Sequence, residues 1–239
     1  ENMLKSFGAD INIEKNNNQT SIYIKGKQEL KSNNVYVPSD LSSSAFFIVA
    51  ALINKGSKIN LNNININPSR DGILKALKKM GAKINIKNQR IVSGEIVANL
   101  EVENSNLVGC ELDAGMAKFM IDEYPILSIA AAFAKGTSIF RGLKELKVKE
   151  SDRLELIRLN LVNCGCDCQV INDDLIIRPS ETYIPKNNII RTDFDHRIAM
   201  SFAVMGSKVD NLVIEDAKSI NTSFPNFIQK FNNAGGNIL

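Results

Sequence analysis

The chain has 239 residues, of which 44% are hydrophobic and 23% charged, and its formal net charge at pH 7 is +3. These ordinary globular values exclude wholesale disorder and a collagen-like structure, and the length allows one large domain or two smaller ones. The weak positive charge is unlike a nucleic-acid-binding surface, and the longest apolar run, residues 126–134, is too short to span a bilayer. We therefore expect neither a nucleic-acid partner nor a membrane segment.

Hydrophobic periodicity predicts helices and strands that alternate along the chain. We expect helices near residues 1–7, 42–54, 70–80, 124–134, 151–164, 195–206 and 223–234. We expect strands near residues 9–14, 20–25, 34–37, 57–62, 83–87, 90–94, 98–103, 137–141, 167–172, 174–178, 188–191 and 211–215. Asp40 and Asp152 are placed to cap the helices that follow them, and Pro125 suits a first helical turn.

One pattern occurs four times: an amphipathic helix end, a glycine and then an alternating strand. Its glycines are residues 8, 81, 165 and 235, at spacings of 73, 84 and 70 residues, and each is expected to end a helix with a positive φ. The repeat predicts an α/β fold built from βαβαββ-like modules, three of which start after about residue 38. We expect residues 38–239 to form a complete three-module domain and residues 1–37 to be the C-terminal remnant of a preceding domain. Because the chain starts at Glu1, we expect the tandem to continue upstream.

The cysteines permit two interpretations. Cys164, Cys166 and Cys168 are closely spaced, which suggests a metal site, but the paired clusters of structural zinc are missing and His196 is the sole histidine. We favour small apolar packing positions at a helix-to-strand junction, with reduced thiols in a cytoplasmic protein and no metal.

Two polar groups precede predicted helices. Asp122 and Glu123 come directly before an apolar helix, either as capping groups for the helix dipole or as part of a site. Lys149 and Arg153 are four residues apart and are able to converge on an anion beside a free helix N-terminus. Glu150 between them would be an acid/base group held among cations. The alternative for this second group is a solvated helix entry.

A third group, Asp195, His196 and Arg197, lies at the start of a helix whose remainder is apolar. Arg197 offers a planar donor fork for a carboxylate or a phosphate, whereas His196 has the alternative of a buried histidine with satisfied hydrogen bonds. Because all three groups recur at module starts, we expect one shared pocket. Its lysine and arginines would concentrate positive charge for a doubly anionic substrate, with proton transfer and no cofactor.

At these residues the chain resembles the C-terminal part of the 5-enolpyruvylshikimate-3-phosphate synthases (3-phosphoshikimate 1-carboxyvinyltransferases). The forms Asp-Glu-Tyr-Pro and Thr-Ser-Phe-Pro look more like the divergent, class II-like subgroup. The matching motifs occupy residues 38–47, 122–125, 148–153, 194–202 and 222–225. The resemblance implies the enolpyruvyl transferase fold, two inside-out domains of three modules each, with helices inside and sheets outside. It also implies transfer of the enolpyruvyl group of phosphoenolpyruvate to the 5-hydroxyl of shikimate 3-phosphate, with release of phosphate and no cofactor.

The resemblance assigns roles to individual residues. Asp122 matches the carboxylate that contacts the 5-hydroxyl and accepts its proton, and Glu150 matches the glutamate that moves protons at the phosphoenolpyruvate methylene. Lys149 matches a shikimate 3-phosphate contact, and Arg153 and Arg197 match the two arginines that bind phosphoenolpyruvate. The accessory positions in the same region are Asp195 and His196.

Some family features are missing or altered. The N-terminal Lys-Ser-x-x-x-Arg substrate motif does not occur, and Glu145 and Thr222 stand where many members have Asn and Lys. We therefore expect this chain to be inactive without the missing N-terminal half, with which it would form a monomeric full-length enzyme. The alternatives are a UDP-N-acetylglucosamine enolpyruvyl transferase, which relies on a loop cysteine and lacks the Lys-Glu-Ser-Asp-Arg run, and a non-catalytic repeat domain.

Overall fold

The computed structural model describes residues 1–16 and 19–239. Its α-helices are α1 (Asn2–Ser6), α2 (Leu41–Ile53), α3 (Gly72–Lys79), α4 (Ala117–Met120), α5 (Tyr124–Ala132), α6 (Arg153–Asn163), α7 (His196–Met205) and α8 (Phe227–Asn233). Its strands are β1 (Ile11–Asn16), β2 (Gln19–Ile24), β3 (Lys58–Asn65), β4 (Lys83–Val92), β5 (Glu95–Glu103), β6 (Glu111–Leu112), β7 (Ser138–Phe140), β8 (Asp167–Ile171), β9 (Asp174–Arg178), β10 (Ile189–Ile190) and β11 (Val213–Ile214). Short 3₁₀ turns cover Ala114–Met116, Ile121–Glu123, Lys144–Val148 and Ala217–Thr222.

The strands form small, separate sheets that repeat one arrangement. The most complete has the order β6-β7-β9-β8, in which β6 and β7 are parallel and the other two pairs are antiparallel. The sheet β3-β5-β4 repeats its antiparallel part, and a single parallel bridge between Ser39 and Ile64 stands in the place of the opening strand. The parallel pair β10-β11 repeats the opening part, and β1-β2 forms a hairpin sheet. The βαβαββ repeat that the sequence predicts is visible in this order.

The helices α2, α5 and α7 lie inside the fold and pack against one another. All nine residues of α5 are buried, and α2 buries every residue except Ser43 and Ala50. Helices that are apolar on every side belong in a protein interior rather than at a surface. The fold is therefore α/β with helices inside and sheets outside, as expected.

Local signals predicted the helix positions well. All seven predicted helices are present, and the four repeat glycines all have φ between 85° and 101° where their helices end. The four cysteines are free and buried, and Cys166 and Cys168 flank the start of β8, which confirms the apolar packing interpretation. Among the described residues, no helix combines the length and apolar character needed to cross a bilayer.

The strand predictions differ from the structure in two places, and the short strand β6 was not predicted at all. The expected strand at 34–37 does not form, and Val37 remains 81% exposed because the one bridge of this segment comes two residues later, at Ser39. The expected pair of strands 83–87 and 90–94 is one continuous strand, β4, with a register shift between Lys87 and Arg90. The tight reversal lies later, at Ser93 and Gly94, which both have the positive φ of a type I′ hairpin turn.

Candidate functional site

The three polar groups of the sequence meet at the starts of three elements inside the fold. The turn Ile121–Glu123 contributes Asp122, the segment before α6 contributes Lys149 and Glu150, and α6 itself begins with Arg153. The start of α7 contributes the third group, Asp195, His196 and Arg197. The residues joined by direct contacts are Asp122, Lys149, Glu150, Arg153, Asp195 and Arg197, which we call the ionic cluster. The three groups that the sequence expected to share one pocket are thus joined as a connected set of charges.

Arg153 lies at the centre of the ionic cluster, with no exposed side-chain surface. Its Nε donates to Asp195 Oδ2 at 2.7 Å, Nη1 donates to Asp122 Oδ1 at 3.0 Å and Nη2 donates to Glu150 Oε2 at 2.5 Å. A buried guanidinium is tolerated only when it is paired and hydrogen-bonded. Three carboxylates from three elements meet this need, so each nitrogen of Arg153 already has a partner.

Asp195 has two structural functions. Its Oδ1 accepts the backbone N–H groups of Arg197 at 2.9 Å and Ile198 at 3.4 Å, which caps α7. Its Oδ2 accepts hydrogen bonds from Arg153 and, at 2.9 Å, from Ser151 Oγ. The preceding Asp193 and Phe194 both adopt left-handed conformations, with φ of 48° and 60°. This sharp turn aims Asp195 into the interior. The sequence predicted it only as an accessory residue.

Asp122 is held by cations on several sides. Arg153 donates to its Oδ1, and Lys149 Nζ lies 3.4 Å from the same atom. Burial alone raises the pKa of Asp122, but the charges of Arg197, Lys149 and Arg153 outweigh burial and lower the pKa below its usual value. Lys149 also contacts Glu145 at 2.9 Å, and this hydrogen bond raises the pKa of Lys149. Asp122 is therefore an ionised carboxylate at neutral pH.

Arg197 differs from Arg153 in that some of its nitrogens have no hydrogen-bond partner among the described residues. Its Nη1 donates to Ser42 Oγ at 2.8 Å and to the backbone oxygen of Asp122 at 3.1 Å. Within residues 1–16 and 19–239, its Nε and Nη2 have no hydrogen-bond partner. The side chain is 18% exposed. Of the two arginines, Arg197 thus has a donor edge free for a carboxylate or a phosphate.

Glu123 and Ser42 complete the site: the sequence left Glu123 open as a helix cap or a site residue, and it assigned Ser42 no role in the site. Glu123 is 3% exposed, accepts the hydroxyl hydrogen of Ser42 and lies 3.7 Å from Arg197 Nη1. Burial raises the pKa of Glu123, against the opposing effects of Ser42 and Arg197. The sequence offered helix capping as one interpretation of Glu123, but its side chain makes no capping hydrogen bond to α5. The available signal was a second acid at the entry of a wholly apolar helix.

Glu150 and His196 form the accessible side of the site. The side chain of Glu150 is 54% exposed, although it is paired with Arg153. His196 is partly buried, and burial lowers its pKa, with Asp195 opposing and Arg197 and Arg153 adding to the effect. His196 is therefore a neutral imidazole near pH 7.

Two expectations about the site are wrong. The N-terminus of α6 is not free for an anion, because Asp152 Oδ1 accepts the N–H of Glu155 at 3.0 Å. The positive charge is not concentrated either, since Asp122, Glu150 and Asp195 offset Lys149 and the two arginines. The free edge of Arg197 is therefore the donor group of the two arginines that is open to an incoming anion.

A cavity of about 330 Å³ borders the ionic cluster. Ser42 and Glu123 lie in its wall, together with Asp40, Arg70 and Glu95. In the described part of the chain, no group of three or more His, Cys, Asp or Glu side chains is arranged to hold a metal ion. The charged side chains of the ionic cluster offer charge-assisted hydrogen bonding and proton transfer by carboxylates.

The family model and the curated relatives that match this chain all name the same protein family. The family model described as EPSP synthase (3-phosphoshikimate 1-carboxyvinyltransferase) matches residues 1–231. The 3-phosphoshikimate 1-carboxyvinyltransferase of Paramagnetospirillum magneticum is 44% identical over 240 residues, covering 100% of this chain and 54% of the relative. That of Nitrobacter winogradskyi is 45% identical over 239 residues, covering 99% of this chain and 53% of the relative. The chain therefore spans about half the length of the relatives that it matches.

Solved structures agree with these relatives. An EPSP synthase from Acinetobacter baumannii superimposes with a TM-score of 0.90 at 37% identity, over 98% of this chain and 53% of the other. The enolpyruvyl transferase NikO from Streptomyces tendae gives a TM-score of 0.67 at 16% identity, over 98% of this chain and 51% of the other. The second match concerns the fold alone, and it is the fold that the sequence predicted.

Proposed function

Because the chain belongs to the EPSP synthase (3-phosphoshikimate 1-carboxyvinyltransferase) family, we propose that it supplies half of a shikimate-pathway active site. The reaction transfers the enolpyruvyl group of phosphoenolpyruvate to the 5-hydroxyl of shikimate 3-phosphate and releases phosphate. The observation that carries the proposal is the ionic cluster, which places two arginines and a lysine around carboxylates suited to proton transfer.

Asp122 is the proposed acceptor of the proton of the 5-hydroxyl. Its lowered pKa keeps it ionised and available, and Arg153 and Lys149 fix its position. As the hydroxyl oxygen attacks C2 of phosphoenolpyruvate, Glu150 gives a proton to the methylene carbon, which yields a tetrahedral intermediate. Phosphate then leaves with the proton that Asp122 accepted, and a methyl proton returns to Glu150, so the addition–elimination ends with both carboxyl groups in their starting states. No cofactor is needed for these steps.

Arg197 and Arg153 would bind phosphoenolpyruvate in different ways. The free Nε and Nη2 of Arg197 are ready for a carboxylate or phosphate group. Arg153 is fully buried and each of its nitrogens already donates to a carboxylate, so we expect a ligand anion to reach it by displacing Glu150, the most exposed of its three partners. Such an exchange would release Glu150 for its proton transfers. Lys149 would contact shikimate 3-phosphate.

His196 and Asp195 would have accessory functions. His196 is neutral and borders the exposed side of the site. Asp195 orients both arginines, through its bond to Arg153 and through the cap that places Arg197 on α7.

We also propose that residues 38–239 are one three-module domain and that residues 1–37 end a preceding one. The separate β1-β2 sheet and its exposed Ile22, Tyr23 and Ile24 support this division. The working enzyme would then be a monomer of the relatives' full length, with both halves lining the site. The four free cysteines support a cytoplasmic location.

Phosphate release from the two substrates tests this function. We expect turnover by a polypeptide of the relatives' full length that contains this sequence, and none by this chain alone. UDP-N-acetylglucosamine as the acceptor is the control for the related transferase and should give no phosphate. Robust turnover by this chain alone would contradict the half-site proposal, and an inactive full-length protein would contradict the function itself.

A further inference from the structure

One buried charge has no part in the proposed reaction. Glu123 is 3% exposed, yet it neither caps α5 nor joins the ion pairs of Arg153. Burying a carboxylate is unfavourable unless a partner compensates it. Its hydrogen-bond partner is the hydroxyl of Ser42, which comes from α2, 81 residues earlier in the chain. The buried carboxylate of Glu123 is therefore stabilised by one particular serine hydroxyl, that of Ser42.

The hydroxyl of Ser42 links the carboxylate of Glu123 to the guanidinium of Arg197 by two hydrogen bonds. A hydroxyl has one hydrogen, and here it donates to Glu123 Oε1, which leaves the lone pairs of Ser42 Oγ for a donor. Arg197 Nη1 is that donor, at 2.8 Å. Glu123 Oε1 also lies 3.7 Å from Nη1, so the opposite charges attract directly. Without the carboxylate, the hydroxyl would be free to rotate and to act as a competing donor.

The position of Nη1 determines what the rest of the guanidinium does. The second acceptor of Nη1 is the backbone oxygen of Asp122, at 3.1 Å, so the group is held between α2 and the turn Ile121–Glu123. A guanidinium is planar, and fixing one nitrogen by two acceptors sets the plane in which Nε and Nη2 lie. These are the two nitrogens that lack a partner among the described residues.

We propose that Glu123 is a positioning residue, which acts through Ser42 to hold the free donor edge of Arg197 ready for an anionic group of the substrate. This inference rests on the proposed function, in which that anion is phosphoenolpyruvate. The other charged groups around Glu123 are Asp122, which precedes it, and Arg70, in the wall of the neighbouring cavity. Neither side chain is bonded to Ser42, so the Ser42 hydroxyl links Glu123 to Arg197 without the side chain of either residue.

Steady-state kinetics of the full-length protein that contains this sequence test the proposal. Glu123→Gln and Ser42→Ala should each raise KM for phosphoenolpyruvate about tenfold, the loss expected for one charge-assisted hydrogen bond. KM for shikimate 3-phosphate and kcat should stay within about threefold, since neither residue touches the reacting atoms. Ser42→Thr keeps the hydroxyl and should restore KM to within about threefold of wild type. The double variant should be no worse than either single one, because both act on the same contact.

The matched control is Ser44→Ala, because among residues 1–16 and 19–239 the one hydrogen bond that Ser44 Oγ donates goes to the backbone oxygen of Asp40, the cap of its own helix. It should leave both KM values unchanged. Equal increases in both KM values, or a double variant with the summed effect of the two single ones, would overturn the proposal. Calorimetric titration of phosphoenolpyruvate into wild type and Glu123→Gln gives an answer even if wild type shows no turnover. Equal affinities there would also overturn the positioning role, whereas missing turnover would count only against the proposed function.

Discussion

The replacement of Asp195 by alanine should be among the most destabilising single changes in this chain. It removes the cap of α7 and, at the same time, a fully buried partner of the fully buried Arg153. Loss of an aspartate cap costs about 1 kcal/mol, and breaking a buried ion pair costs about 3–5 kcal/mol. Arg153 keeps Asp122 and Glu150, which argues for the lower end of that range. We expect the free energy of unfolding to fall by about 4 kcal/mol.

Urea denaturation near pH 7, followed by circular dichroism, measures this loss. The matched control is Asp152→Ala, which removes the cap of α6 at an exposed position but leaves all three carboxylate partners of Arg153 in place. That variant should lose about 1 kcal/mol. Asp195→Asn keeps an acceptor for the cap but lacks the charge, and should lose about 2 kcal/mol. If Asp195→Ala and Asp152→Ala lose the same free energy, our account of the buried charge is wrong.

Three further predictions concern catalysis, pH and thiols. In the full-length protein, Asp122→Asn and Glu150→Gln should lower kcat by about a hundredfold or more while each KM changes less, and unchanged turnover numbers would refute the proton-transfer roles. The lowered pKa of Asp122 means that its ionised form stabilises the fold above the ordinary pKa of 3.8, so the stability advantage of wild type over Asp122→Asn should vanish as pH falls below that value. Urea titrations at several pH values would show it. Burial raises the pKa of all four thiols, to about 11 for Cys166 and about 12 for Cys164, so a thiol reagent at pH 8 should react slowly until denaturant exposes all four.

The helices and their ends could be predicted from the sequence because their signals are local. Asp40, Asp152 and Pro125 stand within one turn of the helices that they start, and the structure shows them there. Strands were harder, because a strand needs a partner that the local sequence does not specify. The segment 34–37 has the apolar residues of a strand. In the described part of the chain, however, the bridge between this segment and β3 lies at Ser39, beyond residue 37.

The sequence also predicted which residues lie together in the ionic cluster, but it did not predict which carboxylate bonds which arginine. The residue types at module starts indicated Asp122, Arg153 and Arg197, and all three belong to the ionic cluster. Which carboxylate meets which arginine depends on how three elements pack, and a sequence motif carries no such distances. The two arginines therefore looked equivalent, although only Arg197 keeps a free edge among the described residues.

The wide spacing of the cluster along the chain has a consequence for folding. Arg153 and Asp195 are 42 residues apart, Ser42 and Glu123 are 81 apart, and Arg197 meets Ser42 across 155 residues. Contacts of such long range close large loops and form only when elements far apart in the chain have packed together. The free donor edge of Arg197 should therefore take its final position only after α2, the turn before α5 and α7 have all docked. A partly folded chain would hold the right residues but have no site, so anion binding would report the completion of folding.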